Sequence, residues 1–133
     1  MLEFALVLPI LMVLLIGLVD LGRAGYLGIL TANAARAGAQ YGAQSIFTST
    51  DTTGMRSAAI ADAPGIGLTA LPTTVCSVNG GGLTNCPSNI TGQTVVYYVK
   101  VHVTGTFAPL VRYPGLPTSI NIVGDSVMRV VAQ

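Results

Sequence analysis

The feature that most constrains this chain is an apolar run near the start of the printed sequence. From Phe4 to Val19 there are 16 residues without a charged or strongly polar side chain, and 12 of them are Leu, Ile, Val or Phe. As a helix this run is about 24 Å long, and it reaches the roughly 20 residues of a spanning helix if it continues past Asp20 and Arg23. Its aliphatic residues favour membrane insertion by about 5 kcal/mol. The run therefore predicts a helix that inserts into a membrane.

A single carboxylate, Glu3, stands at the mouth of this run. A cleaved signal peptide would carry a basic region there, so this interpretation is disfavoured. An ordinary single-span anchor is one alternative, although it is expected to carry Lys or Arg on one flank. The other alternative is a helix that is held in the membrane before assembly and then packs among copies of itself. There Glu3 would pair with the N-terminal amine of a neighbouring subunit, because a buried carboxylate is tolerated only when it is paired.

Small residues recur at four-residue spacing in the helical pattern that continues to about Phe47, as in Gly28 with Ala32 and Gly38 with Gly42. Such spacing lets helix backbones approach closely. Because small residues occur on several faces, we expect several helical neighbours, supplied by copies of the chain. The alternative is an alanine-rich helix packed against its own domain.

Three further residues of the helix carry specific expectations. Asp20 and Arg23 are three positions apart and meet on one helix surface. They can pair within the helix or between subunits, or simply anchor it at the membrane interface. Pro9 removes one backbone hydrogen bond and is expected to kink or locally stretch the helix.

The second half of the chain indicates a small β-rich head. The stretch "TTGMRSAAIADAPG" predicts a short helix capped by Thr52 or Thr53, and "GIGLTALP" is expected to be a connector. In "TVVYYVKVHVTGTF" apolar and polar positions alternate, as in a half-buried strand. The last strand, "SINIVGDSVMRVV", is expected to bend or bulge at Gly124. We predict an α+β chain: a membrane and assembly helix at 1–48, and a head at 49–133 with an antiparallel sheet of three or four strands and the short helix.

The two cysteines lie ten positions apart in the head, at Cys76 and Cys86. This spacing fits no usual zinc pattern. A disulfide between them is the preferred interpretation; it would stabilise the fold by about 2.7 kcal/mol in the chain-entropy model and would indicate an oxidising location. The alternative is two free buried thiols. Asn89 begins a glycosylation sequon, which makes it a candidate modification site.

Composition and charge argue against other function classes. Only 8% of the residues are charged and the formal net charge is +1, so there is no electrostatic case for nucleic-acid binding. The single histidine, His102, falls on the polar face of its strand, and no catalytic or metal-ligating set can be built around it. We predict no enzyme activity, no metal and no cofactor.

Five short elements of the N-terminal sequence occur together in a specific order. They are Glu3-Phe4, Leu8-Pro9, Asp20, Gly22-Arg23 and Ala34-Ala35-Arg36. In this combination, which covers about the first third of the chain, they resemble the TadE-like pilins. These are small pilin-like proteins of the tight-adherence (Tad) branch of the type IV pilus superfamily.

The resemblance implies a pilin-like fold with an extracellular head, in a structural subunit that polymerises through its N-terminal helix. It would be made as a prepilin with a short basic leader, cut by a prepilin peptidase and stored in the inner membrane. The pilus assembly machinery would then build identical subunits into an extracellular Tad pilus, a fimbrium that can serve surface attachment. Glu3 would form an ion pair with the N-terminal amine of a neighbouring subunit. In these proteins the corresponding glutamate usually lies about five residues into the mature chain, whereas Glu3 is the third printed residue; either the printed chain starts at the mature end or maturation differs.

The resemblance leaves two alternatives open. The first is a minor or priming pilin at a filament tip. The second is a single-span membrane protein with an extracytoplasmic β-rich module that binds a partner.

Overall fold

The computed structural model of the chain describes residues 2–88, 91–111, 115 and 117–131, and the side chains of residues 2, 3 and 5 lie outside this description. Within these ranges the chain forms helices and strands in a simple order, with the helices first. They are α1 (Leu2–Ala43), α2 (Ile46–Thr50), α3 (Thr52–Asp62), β1 (Thr69–Val78), β2 (Leu83–Thr84), β3 (Val95–Phe107) and β4 (Ile120–Arg129).

Helix α1 joins the apolar run and the small-residue segment without a break. It has 42 residues and is therefore about 63 Å long. Leucine and alanine, two strong helix formers, are frequent along it. Pro9 lies inside the helix and lacks the N–H that would bond to the carbonyl four positions earlier. The helix nevertheless continues on both sides of this proline.

The end of α1 lies earlier than the expected position near Phe47. The helix stops at Ala43, and Ser45 then starts α2. The Ser45 side chain accepts the N–H of Thr48, and the Thr48 side chain accepts the N–H of Ser45. This reciprocal capping box satisfies two backbone donors at the start of a new helix. A local capping signal thus separates two segments that share one helical pattern.

The third helix begins at a different residue from the one predicted. Asp51, not Thr52 or Thr53, is the N-cap of α3, and its side chain accepts the N–H of Gly54 at 2.9 Å. A carboxylate at this position also interacts favourably with the positive end of the helix dipole. The two threonines instead form the first turn.

The four strands form one antiparallel sheet in the order β2-β1-β3-β4. The central strand β3 pairs with β1 on one side and with β4 on the other. Val99, Val101 and Val103 of β3 are fully buried, whereas Lys100 is exposed and His102 is half-buried. The alternation predicted for this strand is therefore confirmed.

Strand β1 starts earlier than expected, because the segment predicted to be a connector is partly strand. Thr69 already pairs with Thr104, and Pro72 lies opposite Val101. On its other side β1 pairs with β2 only at Cys76 and Ser77. β1 is thus a sheet edge at Pro72, which is where a strand tolerates proline.

The bulge expected at Gly124 is absent from the described register of β3 and β4. Gly124 pairs with Val103 in an unbroken antiparallel register. The glycine has another role, since a Cβ at this position would lie only 2.6 Å from the amide nitrogen of Ala32 and still closer to backbone atoms of Thr31. Gly124 lets the backbones of β4 and α1 come into contact.

The small residues of the second half of α1 pack against the chain's own head. A Cβ on Gly38 would lie 2.9 Å from the carbonyl oxygen of Met55 and 3.2 Å from Val101 Cγ1. One on Gly42 would lie 3.0 Å from Val99 Cγ1. Three neighbouring alanines are also fully buried: Ala34, Ala35 and Ala39. In this segment α3 and the sheet of the same chain cover the small residues, as in the alternative of an alanine-rich helix packed against its own domain.

The described architecture confirms the α+β, pilin-like fold class: a long apolar N-terminal helix with a four-stranded antiparallel sheet. The second half of the helix contributes to the core of the head. The predicted boundary between the assembly helix and the head, at residue 48, therefore stays a prediction.

Candidate assembly surface

The first half of α1 is a bare apolar helix. Its large side chains from Phe4 to Val19 are exposed, and Phe4 itself is 80% exposed. In the part of the chain that the structure describes, one helical stretch is long and apolar enough to cross a membrane. It is Leu6–Ala43, within α1, and its most apolar window has a mean hydropathy of 2.2. This combination suggests membrane anchoring by the N-terminal helix.

The predicted assembly residues at the start of α1 have different outcomes. The backbone of Glu3 lies in the helix, but its side chain falls outside the described part of the chain, so its pairing stays a prediction. Phe4 is exposed and free to contact lipid or another chain. Pro9 lies within the bare segment, where the absent N–H leaves a backbone carbonyl without its helical donor.

Asp20 marks the point where the head first reaches the helix. The residue is only 7% exposed. Its carboxylate accepts a hydrogen bond from Arg23 Nη1 at 3.1 Å, which confirms an intrahelical pair. Both carboxylate oxygens also accept the backbone N–H of Leu110, at 3.1 and 3.2 Å. A buried carboxylate is thus satisfied by a cation and by a loop amide.

The amide of Leu110 is a partner of Asp20 that sequence reasoning missed. It is 90 positions away in the sequence, and a backbone N–H leaves no trace in side-chain patterns. We call the hydrogen-bonded set of Asp20, Arg23 and Leu110 the helix–loop clasp. The clasp fixes the segment after β3 onto α1.

Arg23 also contacts the end of strand β3. Its guanidinium carbon lies 5.6 Å from the centre of the Phe107 ring, in the range of a cation–π contact. Beside this contact an open groove of about 540 Å³ runs along α1. Its helix wall includes Val19, Gly22 and Tyr26, while Phe107 and the residues around it form the other wall.

The four small residues predicted for assembly lie in two environments. Gly38 and Gly42 are buried under the chain's own head. Gly28 and Ala32 are only partly covered, and a Cβ on Gly28 would make an ordinary contact of 3.8 Å with Ile122. Gly28 and Ala32 are therefore the two members of the set that keep surface available to another molecule.

The predicted disulfide is present. Cys76 and Cys86 are bonded, with their Cα atoms 4.9 Å apart. Cys76 lies in β1 and is fully buried, so the bond ties the segment after β2 to the sheet. The candidate glycosylation site, Asn89, lies outside the described residues.

His102 lies on the outer face of the sheet and pairs with Asp125 on the neighbouring strand. The distance from His102 Nδ1 to Asp125 Oδ1 is 2.8 Å, and both side chains are substantially exposed. Sequence reasoning missed this pair, which becomes visible only with the register of β3 and β4. Across the described ranges, with their gaps at 89–90, 112–114 and 116, no three His, Cys, Asp or Glu residues come together as metal ligands would.

Hydrogen bonds at the start of α3 lower the pKa of Asp51 below its ordinary value of 3.8. The main cause is the N–H of Gly54, followed by the Tyr41 hydroxyl, which donates to Asp51 at 3.0 Å. Tyr41 lies near the end of α1, so Asp51 caps α3 and links it to α1. This contact stabilises the head, and it lies far from the bare segment.

The comparisons with known proteins point to the same end of the chain. No curated protein and no solved structure matches it. A family model does match, that of the TadE-like protein family, over residues 1–40. This match confirms the resemblance to TadE-like pilins along the N-terminal helix. The match and the apolar helix together fit a Tad pilus-associated protein.

Proposed function

We propose that this chain is a structural pilin subunit that polymerises through α1 into an extracellular Tad pilus. The observation that carries the proposal is the contrast along α1. One continuous helix is embedded in its own head at one end and is bare and apolar at the other. A surface of this kind must be covered by something outside the chain.

Two environments can cover the bare segment in succession. Before assembly, the lipid of the inner membrane covers the exposed aliphatic residues between Phe4 and Val19. In the filament, the helices of neighbouring subunits replace the lipid. Lipid and leucine are similarly apolar, so the exchange is governed by packing and by polar pairs rather than by the hydrophobic effect.

Open glycines on α1 support close helix packing. Added Cβ atoms on Gly17, Gly22 and Gly25 would meet no described atom within 4 Å, apart from the helix's own backbone and adjacent residues. Bare backbone of this kind lets a second helix approach closely. The groove that begins beside Gly22 offers such a helix a place next to the head.

Glu3 is the proposed register device of the filament. A carboxylate among packed apolar helices requires a cation, and in a homopolymer the N-terminal amine of a neighbouring copy supplies one at every subunit. The prepilin peptidase and the pilus assembly machinery are the other partners that this proposal requires.

The test is electron microscopy of material sheared from cells, with mass spectrometry of the purified fibres. Thin fibres composed mainly of this chain are expected, and the measured mass gives the mature N-terminus. Fibres that contain only traces of the chain would replace the proposal with a minor or priming pilin. Complete retention in the membrane fraction would favour a single-span protein with a binding module.

A substitution tests the role of Glu3 directly. Glu3→Ala is expected to give subunits that insert into the membrane at normal levels but yield few fibres, because the neighbour's amine loses its partner. Asp62→Ala is a matched control, since it removes an exposed carboxylate from the end of α3. Normal fibre yield from Glu3→Ala would contradict the pairing.

A further inference from the structure

We propose that the segment after β3 forms a second membrane contact, in which Leu110 and Val111 insert at the boundary between lipid headgroups and acyl chains. The partner is the bilayer that holds α1. The inference rests on the membrane-inserted stage of the proposed function. It adds a contact made by the head, in addition to the helix.

The first observation is the position of the segment. The backbone N–H of Leu110 donates to both oxygens of the Asp20 carboxylate, at 3.1 and 3.2 Å. Asp20 immediately follows Val19, the last residue of the apolar run. Side chains of a helix tilt toward its N-terminus, so the Asp20 carboxylate points back toward the run. The clasp therefore places Leu110 at the level where the bare helix would leave the hydrocarbon.

The second observation is the surface that the segment presents there. Leu110 is 62% exposed and Val111 is 41% exposed, although both are large aliphatic residues. The backbone N–H of Leu110, its most polar group, is already bonded to Asp20 and need not be solvated. What remains outward is a small apolar surface, and the N–H that fixes it to α1 is already satisfied.

The third observation is the order of residues along α1 above the clasp. Arg23 follows Asp20 by one turn, and its partly exposed guanidinium can reach headgroup phosphates while its stem covers apolar surface. Tyr26, an exposed aromatic residue, follows. Tyrosine and basic side chains are the usual residues at a membrane–water interface. Arg23 and Tyr26 on the helix, which suit a membrane–water interface, therefore lie close to the exposed apolar side chains of Leu110 and Val111. We call these two side chains the tip.

Another copy of the chain could also cover this tip, and the membrane is favoured for a geometric reason. The tip is hydrogen-bonded at the end of the helix segment that itself requires lipid before assembly. A single inserted subunit therefore brings Leu110 and Val111 to the bilayer without any partner chain. The contact should accordingly be independent of protein density.

The experiment uses the full chain reconstituted at low density in vesicles of phosphatidylcholine and phosphatidylglycerol. A cysteine is introduced as Leu110→Cys or Val111→Cys and labelled with a polarity-sensitive fluorophore. The native cysteines do not react because they are bonded to each other. Val123→Cys is the matched control, since it replaces an exposed aliphatic residue on the outer face of the sheet. Leu14→Cys reports on insertion of the bare helix.

Labels at 110 and 111 are expected to emit at shorter wavelength than the label at 123, and to be quenched by lipids with a quencher near the headgroup. Adding Asp20→Ala should release the segment and return the signal at 110 toward that at 123. If the label at 14 is in lipid while 110 and 111 behave like 123, this inference is overturned and the proposed function stands. If the signal at 110 appears only at high protein density, a second copy covers the tip and the inference is again overturned. A label at 14 in water overturns both.

Discussion

The two halves of α1 differ in what covers them and in the size of their side chains. The bare half, Phe4–Val19, carries large apolar side chains that are all exposed. The covered half, Leu27–Ala43, carries alanines and glycines, and several of these are fully buried. In the covered half small residues therefore mark close packing within one chain, whereas the exposed large side chains of the bare half form a surface that we propose an outside partner covers.

The physical reason lies in the distance between the elements. In the covered half the helix backbone touches the sheet, as at Gly124 and Thr31, so there is no room for large side chains on that face. In the bare half the proposed partners, lipid and the helices of other subunits, adapt to bulky side chains. The same helix is thus tightly packed in its covered half and exposed in its bare half.

The largest effect is expected from a substitution that forces the covered half of α1 away from the sheet. Gly124→Ala is expected to destabilise the head by about 3 kcal/mol, the upper end of overpacking effects, because its Cβ would meet backbone atoms that cannot rotate away. Urea unfolding in detergent, followed by near-ultraviolet circular dichroism, measures the change.

Gly17→Ala is the matched control in the bare half, where the added Cβ has open space. It should change the free energy of unfolding of the head by less than about 0.5 kcal/mol. Equal losses from both variants would contradict the division of α1 into a covered and a bare half.

A second prediction concerns the sheet on which the covered half rests. Replacing both Cys76 and Cys86 by serine is expected to lower the free energy of unfolding by about 2.7 kcal/mol, because the unfolded chain regains the freedom of a loop of ten residues. Urea midpoints of the wild type with and without reductant should reproduce the difference. A reductant effect on the double variant would show that the loss has another origin.

A third prediction sharpens the boundary between the halves. Asp20→Ala removes the acceptor of Leu110 and the partner of Arg23. The expected loss is about 2 kcal/mol, in the range of hydrogen bonds to charged groups. Amide exchange at Leu110 should rise with it. Asp20→Asn, which keeps an acceptor oxygen, should lose less, and an equal loss from both variants would mean that the hydrogen bond to Leu110 contributes nothing.

The smallest expected effect is a pH dependence at the cap of α3, which Tyr41 links to the covered half. The folded-state pKa of Asp51 is lowered, so its contribution to stability is present above its ordinary value of 3.8 and is lost as the pH falls through the folded-state pKa. The protection of the Gly54 amide, measured as its exchange rate relative to the intrinsic rate at the same pH, should fall in acid in the wild type. In Asp51→Ala this protection should be low at higher pH as well. Asp62→Asn, which leaves the Asp51 cap intact, should behave as the wild type.

The features that the sequence could predict are periodic or local. The alternation of Val99, Val101 and Val103 identified the central strand and its buried face. The spacing of Cys76 and Cys86 predicted their bond. The apolar run predicted the bare helix. In each case the signal repeats along the chain or depends on residues close in sequence.

The features that the sequence could not predict depend on contacts between distant segments. Gly124 suggested a bulge, because the approach of Thr31 is invisible until the helix lies on the sheet. Asp20 suggested a partner on its own helix or on another chain, and it has in addition a backbone amide 90 positions away. The small residues of α1 suggested foreign helices for the same reason, since the head that covers them is assembled from the other end of the chain.

The continuity of α1 also has a mechanical consequence. A pull on the bare end is transmitted along α1, one continuous helix of about 63 Å in all, into the core of the head. The force then acts along the interface between α1 and the sheet, so it loads those contacts in shear, all at once, instead of peeling them apart one by one. A filament of such subunits would bear tension through its helices while each sheet stays clamped to its own rod.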